Sequence, residues 1–188
     1  MKPIFPQLTK IPLPMKKIAV VIGHDKVRPG FYSKFLKTSE YIYNSEVATH
    51  LSKIADIYKR PMGGGYKTQM TNLANEINQK DYDLVIELHF NAYDGISNKK
   101  GHGVETVSYP GSKSLEFGDA YCKAISENYE VSNRGAKVHY KGDRGWAFLS
   151  LMNAPAIIVE PFFGDEDEAL KFSDPAKYAG ILTELFCN

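Results

Sequence analysis

Three stretches of the chain are almost purely apolar and lead into a polar residue. Lys17–Ile22 (KIAVVI), Asp83–His89 (DLVIELH) and Ala156–Glu160 (AIIVE) are rich in β-branched residues and too short for helices. Runs of this kind predict strands buried on both faces, as in a parallel sheet. Val104–Tyr109 alternates in the manner of a further strand. Between the strands the apolar period changes to that of a helix. Ser39 is a good N-cap for a helix from Glu40 to about Tyr58, with Val47, Leu51, Ile54 and Tyr58 as its core face. Ile57–Arg60 also fits a short strand ahead of Pro61. Thr68–Gln79 predicts a polar amphipathic helix with Leu73 and Ile77 inward, and Ser112–Tyr129 predicts another. Asp174-Pro175 starts a last helix to Phe186, with proline at the favoured first position. Weaker signals mark a short strand at Ala136–Tyr140 and a helical turn at Ala147–Met152, while residues 25–38 and 91–102 read as loops. Strands alternating with helices predict an α/β fold, a three-layer domain with a mostly parallel mixed central sheet flanked by helices.

Composition narrows the class. With 188 residues the chain suits one domain, and 43% hydrophobic residues suffice for a core. The 23 Lys and Arg nearly balance 22 Asp and Glu, so no broad basic field for nucleic acid is expected. No apolar run approaches the roughly 18 residues of a membrane span, so no stable membrane insertion is expected. Cys122 and Cys187 form no CxxC and are too few for a disulfide scaffold, which implies free thiols. The first fourteen residues hold Pro3, Pro6, Pro12 and Pro14. These break any continuous apolar stretch of the kind a signal peptide needs. Residues 1–16 are expected to form a proline-rich arm, and residues 17–188 a single domain.

The chemistry collects at strand ends. His24 follows the first strand, His89 ends the second and Glu160 ends the third. Ligands of open α/β sheets bind outside the carboxyl ends of parallel strands, so these three ends should meet in one crevice. Glu40, at the start of the helix after the first strand's loop, can join them. Each has a plainer role on its own: a solvated histidine, or a glutamate facing a helix dipole. Glu160 is harder to explain plainly, because it lies between apolar Ala156–Val159 and Pro161-Phe162-Phe163 and should be half buried. Two histidines and two glutamates fit a zinc hydrolase with three protein ligands, an open position and a carboxylate that moves protons. No short zinc signature such as HExxH occurs.

The strings IGH (22–24), SEYIYNSEVATHL (39–51), IELHFNA (86–92), GVET (103–106), NRGAKV (133–138) and IVEPFFGD (158–165) occur in this order. In their order and spacing the chain resembles the zinc-dependent N-acetylmuramoyl-L-alanine amidases of the type-3 group, especially those found as phage endolysins. The resemblance runs from about Lys17 to Phe186. It implies one zinc ion per chain held by His24, Glu40 and His89, with Glu160 as the catalytic residue. Glu40 is favoured over Glu46 because Asn44 completes the pattern E-x-x-x-N. Two strings depart from the family. GHDKVRPG stands where a GHGG-like string is usual, and TNLANE lacks an arginine that many members carry. Both bear on substrate contacts rather than on ligands.

The implied activity is hydrolysis of the amide between N-acetylmuramic acid and L-alanine in peptidoglycan. An endolysin of this kind would stay in the host cytoplasm and reach the periplasm or wall after a holin opens the membrane. Asn91, His102, Arg134 and His139 are candidates for contact with the substrate, Arg134 through a carboxylate of the peptide stem. Trp146, Tyr140 and Phe148 are expected in the core. The alternatives are a zinc peptidase that cuts another wall bond and an inert module that binds peptidoglycan.

Overall fold

The computed structural model describes residues 17–93, 102–111 and 113–187. The proline-rich arm, most of the loop after Ala92, and Ser112 lie outside them. Among the described residues, six strands form one sheet in the order β4-β1-β5-β8-β6-β7. They are β1 (Ile18–Ile22), β4 (Asp56–Lys59), β5 (Leu84–Leu88), β6 (Val104–Ser108), β7 (Asn133–Val138) and β8 (Ala156–Glu160). All neighbours run parallel except β6 and β8. The three apolar runs are the adjacent central strands β1, β5 and β8, buried along their whole length.

Helices cover both faces. On one side, α1 (Glu40–Leu51), α3 (Ser114–Tyr129) and α5 (Pro175–Cys187) pack Val47, Tyr121, Ile125, Tyr178 and Leu182 against Ile86 and Leu88. On the other, α2 (Tyr66–Ile77) and α4 (Trp146–Leu151) pack Met70, Leu73, Ile77 and Phe148 against Val21 and Val85. This is the expected three-layer α/β architecture. Ser39 caps α1 by accepting from the Ile42 N–H at 3.4 Å, and Asp174 caps α5 through the N–H groups of Ala176 and Lys177. Cys122 and Cys187 are free thiols, and no described helix is long and apolar enough to cross a membrane.

Several boundaries differ from expectation. Helix α1 stops at Leu51 rather than near Tyr58. The chain tightens there, with Ile54 and Ala55 both donating to the Leu51 carbonyl, and β4 then pairs with β1. Edge pairing wins over the helical period, and Tyr58 packs in the α2 layer, its hydroxyl 2.7 Å from that of Tyr82. Strand β7 starts at Asn133, earlier than Ala136, and absorbs Gly135 in an irregular register with β6. The loop 25–38 contains a small hairpin, β2 (Tyr32–Ser33) with β3 (Thr38–Ser39), and a 3-10 helix spans Asp167–Phe172. Tyr140 is 63% exposed rather than in the core, while Trp146 is half-buried and stacks on Tyr109.

Register sets up the site. Ile22 lies opposite Leu88, and Leu88 opposite Val159. His89 and Glu160 are each the next residue on their strands, and the His89 N–H donates to the Val159 carbonyl at 3.1 Å. Two residues past Glu160, Phe162 stacks on Phe172, which stacks on Tyr129 with ring centroids 3.9 Å apart. Phe172 is fully buried. Phe172→Ala should lower unfolding stability by about 3–5 kcal/mol in urea denaturation; a loss under about 1 kcal/mol would contradict the role given to this aromatic stack.

Candidate metal centre

Glu40 is the first residue of α1 and is 4% exposed. Its Oε2 lies 3.0 Å from His24 Nε2, and its Oε1 lies 2.7 Å from His89 Nδ1. The Phe90 N–H also donates to Oε1 and the Phe31 N–H to Oε2. One donor atom from each of His24, Glu40 and His89 falls within 4.8 Å of the others. Glu46 is exposed on the outer side of α1 and takes no part in this cluster.

Local sequence explains the convergence. At the end of β1, Gly23 passes so close to β5 that a Cβ there would collide with the Leu88 carbonyl and the His89 ring. His24 then turns the chain with φ of 66°. Asp25, buried, holds the loop by accepting from the N–H groups of Val27 and Arg28, both at 2.8 Å. The loop brings Gly30 over the cluster with φ of 75°, where a Cβ would stand 2.5 Å from Glu40 Oε2 and 2.8 Å from His24 Cδ2. So the string GHDKVRPG shapes the rim with an aspartate turn and one glycine. Asn44 gives the E-x-x-x-N pattern its meaning: its amide donates to the Leu88 carbonyl at 3.2 Å and fastens α1 beside His89.

Electrostatics separate the carboxylates. Burial would raise the Glu40 carboxyl, but the hydrogen bonds from His24 and His89 outweigh it and hold it well below the usual range. Burial would lower His89, but the charge of Glu87 and the contact with Glu40 prevail and raise it. Glu160, 2% exposed, behaves oppositely: burial pushes it up to about 7, only partly offset by the charges of His89 and Arg144. Its Oε1 accepts from Arg144 Nη2 at 2.7 Å, and its Oε2 is buried without a hydrogen-bond partner among the described residues. His24, Glu40, His89 and Glu160 line one cavity of about 410 Å³. Two imidazoles and a carboxylate fit a divalent ion of the zinc type, and a shared carboxylate bridges the two rings where a cation would otherwise link them. These three residues can hold a metal ion.

Of the other predicted residues, His139 lines the cavity, with Nδ1–H donating to the Arg144 carbonyl at 2.7 Å. Asn91 donates to Glu105 Oε1, and Glu105 Oε2 accepts from Arg134 Nε at 2.7 Å, so both belong to a network beside the cavity. His102 is exposed and does not line it. Sequence reasoning missed Arg60, Glu87 and Arg144, which do line it. Glu87 carried a signal, since a charged residue inside an apolar strand needs a partner. Arg144, in a loop without periodicity, carried none.

The sequence profile of the type-3 N-acetylmuramoyl-L-alanine amidases matches residues 18–184, and the chain belongs to this family of enzymes. Solved structures share its fold. The catalytic domain of the CD27L endolysin targeting Clostridia difficile superposes with a TM-score of 0.71 at 24% identity, covering 90% of this chain and 95% of that one. The CwlD amidase from Clostridioides difficile, solved in complex with the GerS lipoprotein, gives 0.71 at 18% identity, covering 92% and 95%. Cwp6 from Clostridium difficile gives 0.70 at 23% identity, covering 90% of this chain and 28% of that longer one. Curated protein sequences contain no match.

Glu160 binds its proton with a pKa of about 7 when folded and near 4.5 when unfolded. The folded chain holds more protons between those limits, so stability falls as pH rises through them. In metal-free protein, Glu160→Gln should raise the melting temperature at pH 8, and the gain should shrink toward pH 5. An equal difference at both pH values would contradict the assignment of a buried, reluctant carboxylate.

Proposed function

We propose that the chain hydrolyses the amide between N-acetylmuramic acid and L-alanine in peptidoglycan, using one zinc ion held by His24, Glu40 and His89. The observation that carries this is the convergence of three metal donors beside a buried carboxylate of raised pKa, at the ends of adjacent strands. When bound, zinc would act as a Lewis acid and make water nucleophilic near neutral pH. Glu160 is the proton carrier. It accepts the proton of the attacking water and delivers it to the nitrogen of the leaving L-alanine. A pKa of about 7 suits both duties, since the group must give up and regain a proton near neutrality. Arg144 sets the direction of the Glu160 carboxylate by holding Oε1, which leaves Oε2 unengaged for the proton. His139 is the one of the four candidates that lines the cavity and is best placed to contact substrate there, whereas Asn91, Arg134 and His102 do not line it.

The catalytic unit in this proposal is residues 17–188, with the proline-rich arm standing outside it. The setting we propose is that of a phage lysin, retained in the host cytoplasm until a holin opens the membrane. Its support is the endolysin-like order of sequence motifs and the match across nearly all of the CD27L catalytic domain.

Purified protein should contain zinc near one equivalent and digest peptidoglycan, releasing alanine amino termini while the glycan strands stay intact. A chelator should abolish this. Cleavage of a different bond would point to a peptidase, and a folded, zinc-free, inactive protein to a binding module. His89→Ala should lose most of the metal, whereas Glu46→Ala should keep it. Glu160→Gln should keep zinc and lose roughly 10²–10⁴ in rate; lost zinc would make Glu160 a ligand instead.

A further inference from the structure

Glu87 is a carboxylate in the middle of β5, and it is 1% exposed. Arg60, just past β4 and itself largely buried, donates from Nη2 to Glu87 Oε1 at 2.6 Å. That ion pair engages one oxygen. The other, Oε2, has no hydrogen-bond partner among the described residues and lies 3.4 Å from His89 Nε2. The opposite ring nitrogen of His89, Nδ1, is the one turned to Glu40. His89 is therefore flanked by two carboxylates, one inside the metal cluster and one outside it.

We propose that Glu87 is the positioning residue of the metal centre, its Oε2 accepting the Nε2–H of His89 so that the Nδ1 lone pair is free for the metal. The proposal rests on the metal-centre assignment given above and concerns a residue outside its ligand set. A neutral imidazole carries one proton, and whichever nitrogen holds it cannot bind a metal. An acceptor fixed at Nε2 selects the required tautomer and locks the ring plane, the role that carboxylates beside metal-bound histidines commonly play. The gap of 3.4 Å is slightly longer than a formed hydrogen bond, and it is the shortest approach of Oε2 to a ring nitrogen of His89. Arg60 makes the arrangement affordable. Without it Glu87 would be an uncompensated buried charge, and its grip on Oε1 aims Oε2 at the ring. If Glu87 served only to neutralise Arg60, nothing would require its second oxygen to be buried and directed at His89.

Glu87→Gln is a discriminating change because it keeps size and shape. Arg60 offers only donors, so the new amide must turn its oxygen to Arg60 and its NH₂ to His89. An NH₂ facing Nε2 favours the tautomer with the proton on Nδ1, where the metal should bind. The full chain is titrated with zinc chloride against a competing chelator. Glu87→Gln is expected to bind zinc about 10–100-fold more weakly; affinity equal to wild type in a folded variant would overturn the proposal. Nitrogen-15 NMR of zinc-loaded wild type tests it without any substitution. A His89 proton on Nε2 supports it, and a proton on Nδ1 overturns it whatever the fate of the variant. His89→Ala serves as the control. Loss of zinc there with unchanged affinity in Glu87→Gln would defeat this inference alone. Unchanged zinc in His89→Ala would defeat the metal-centre assignment, and the proposal with it.

Discussion

The Glu40 carboxylate, buried and shared between two histidine rings, is the interaction around which the rest of the site is arranged. A buried carboxylate without partners would cost several kcal/mol. Here it is met by His24 at 3.0 Å, His89 at 2.7 Å and two backbone N–H groups. Meeting it dictates much of the local fold. The chain must turn after β1 to bring His24 inward, Gly30 must lack a side chain to let the loop close over the carboxylate, and α1 must begin at Glu40, capped by Ser39, and be fastened to β5 through Asn44. The parallel register of β1, β5 and β8 then places Glu160 beside the same cluster.

Two glutamates in one cavity are driven in opposite directions by what surrounds them. Glu40 gains more from hydrogen bonds than it loses to burial and stays ionised. Glu160 has one engaged oxygen and one unengaged oxygen, shares the cavity lining with apolar Val107 and Ile158, and is pushed up to about 7. Such a split suits the separate duties proposed for them, a charge to hold a cation and a proton carrier near neutral pH. A third buried glutamate, Glu87, is neutralised by Arg60 and reserved for the far edge of the His89 ring.

The features that a sequence states locally were readable in this one. KIAVVI, DLVIELH and AIIVE have no plausible place except the middle of a parallel sheet, and a strand's end fixes where its next residue goes. The positions of His24, His89 and Glu160 therefore followed from the runs themselves and that of Glu40 from the start of the next helix, while the family resemblance, through the pattern E-x-x-x-N, favoured Glu40 over Glu46. What the sequence left unread depends on pairing between distant segments. Helix α1 gives way after Leu51 because β4 has an edge of β1 to join, a competition that helical periodicity cannot register. Arg60 and Arg144 matter through the glutamates they reach from other strands and loops, 27 and 16 residues away in the chain. Only Glu87, a charge set among the apolar residues of DLVIELH, pointed to such a partner.

The central claim is that His24, Glu40 and His89 hold one metal ion while Glu160 stands beside it unbound. Anomalous diffraction at the zinc absorption edge, from crystals of the zinc-loaded protein, tests this most directly. The account expects one strong peak per chain, bonded to His24 Nε2, a Glu40 oxygen and His89 Nδ1, with metal–nitrogen distances of about 2.0–2.1 Å. A peak bonded to Glu160 or Glu46, or a protein that takes up zinc elsewhere and leaves these three residues free, would contradict it.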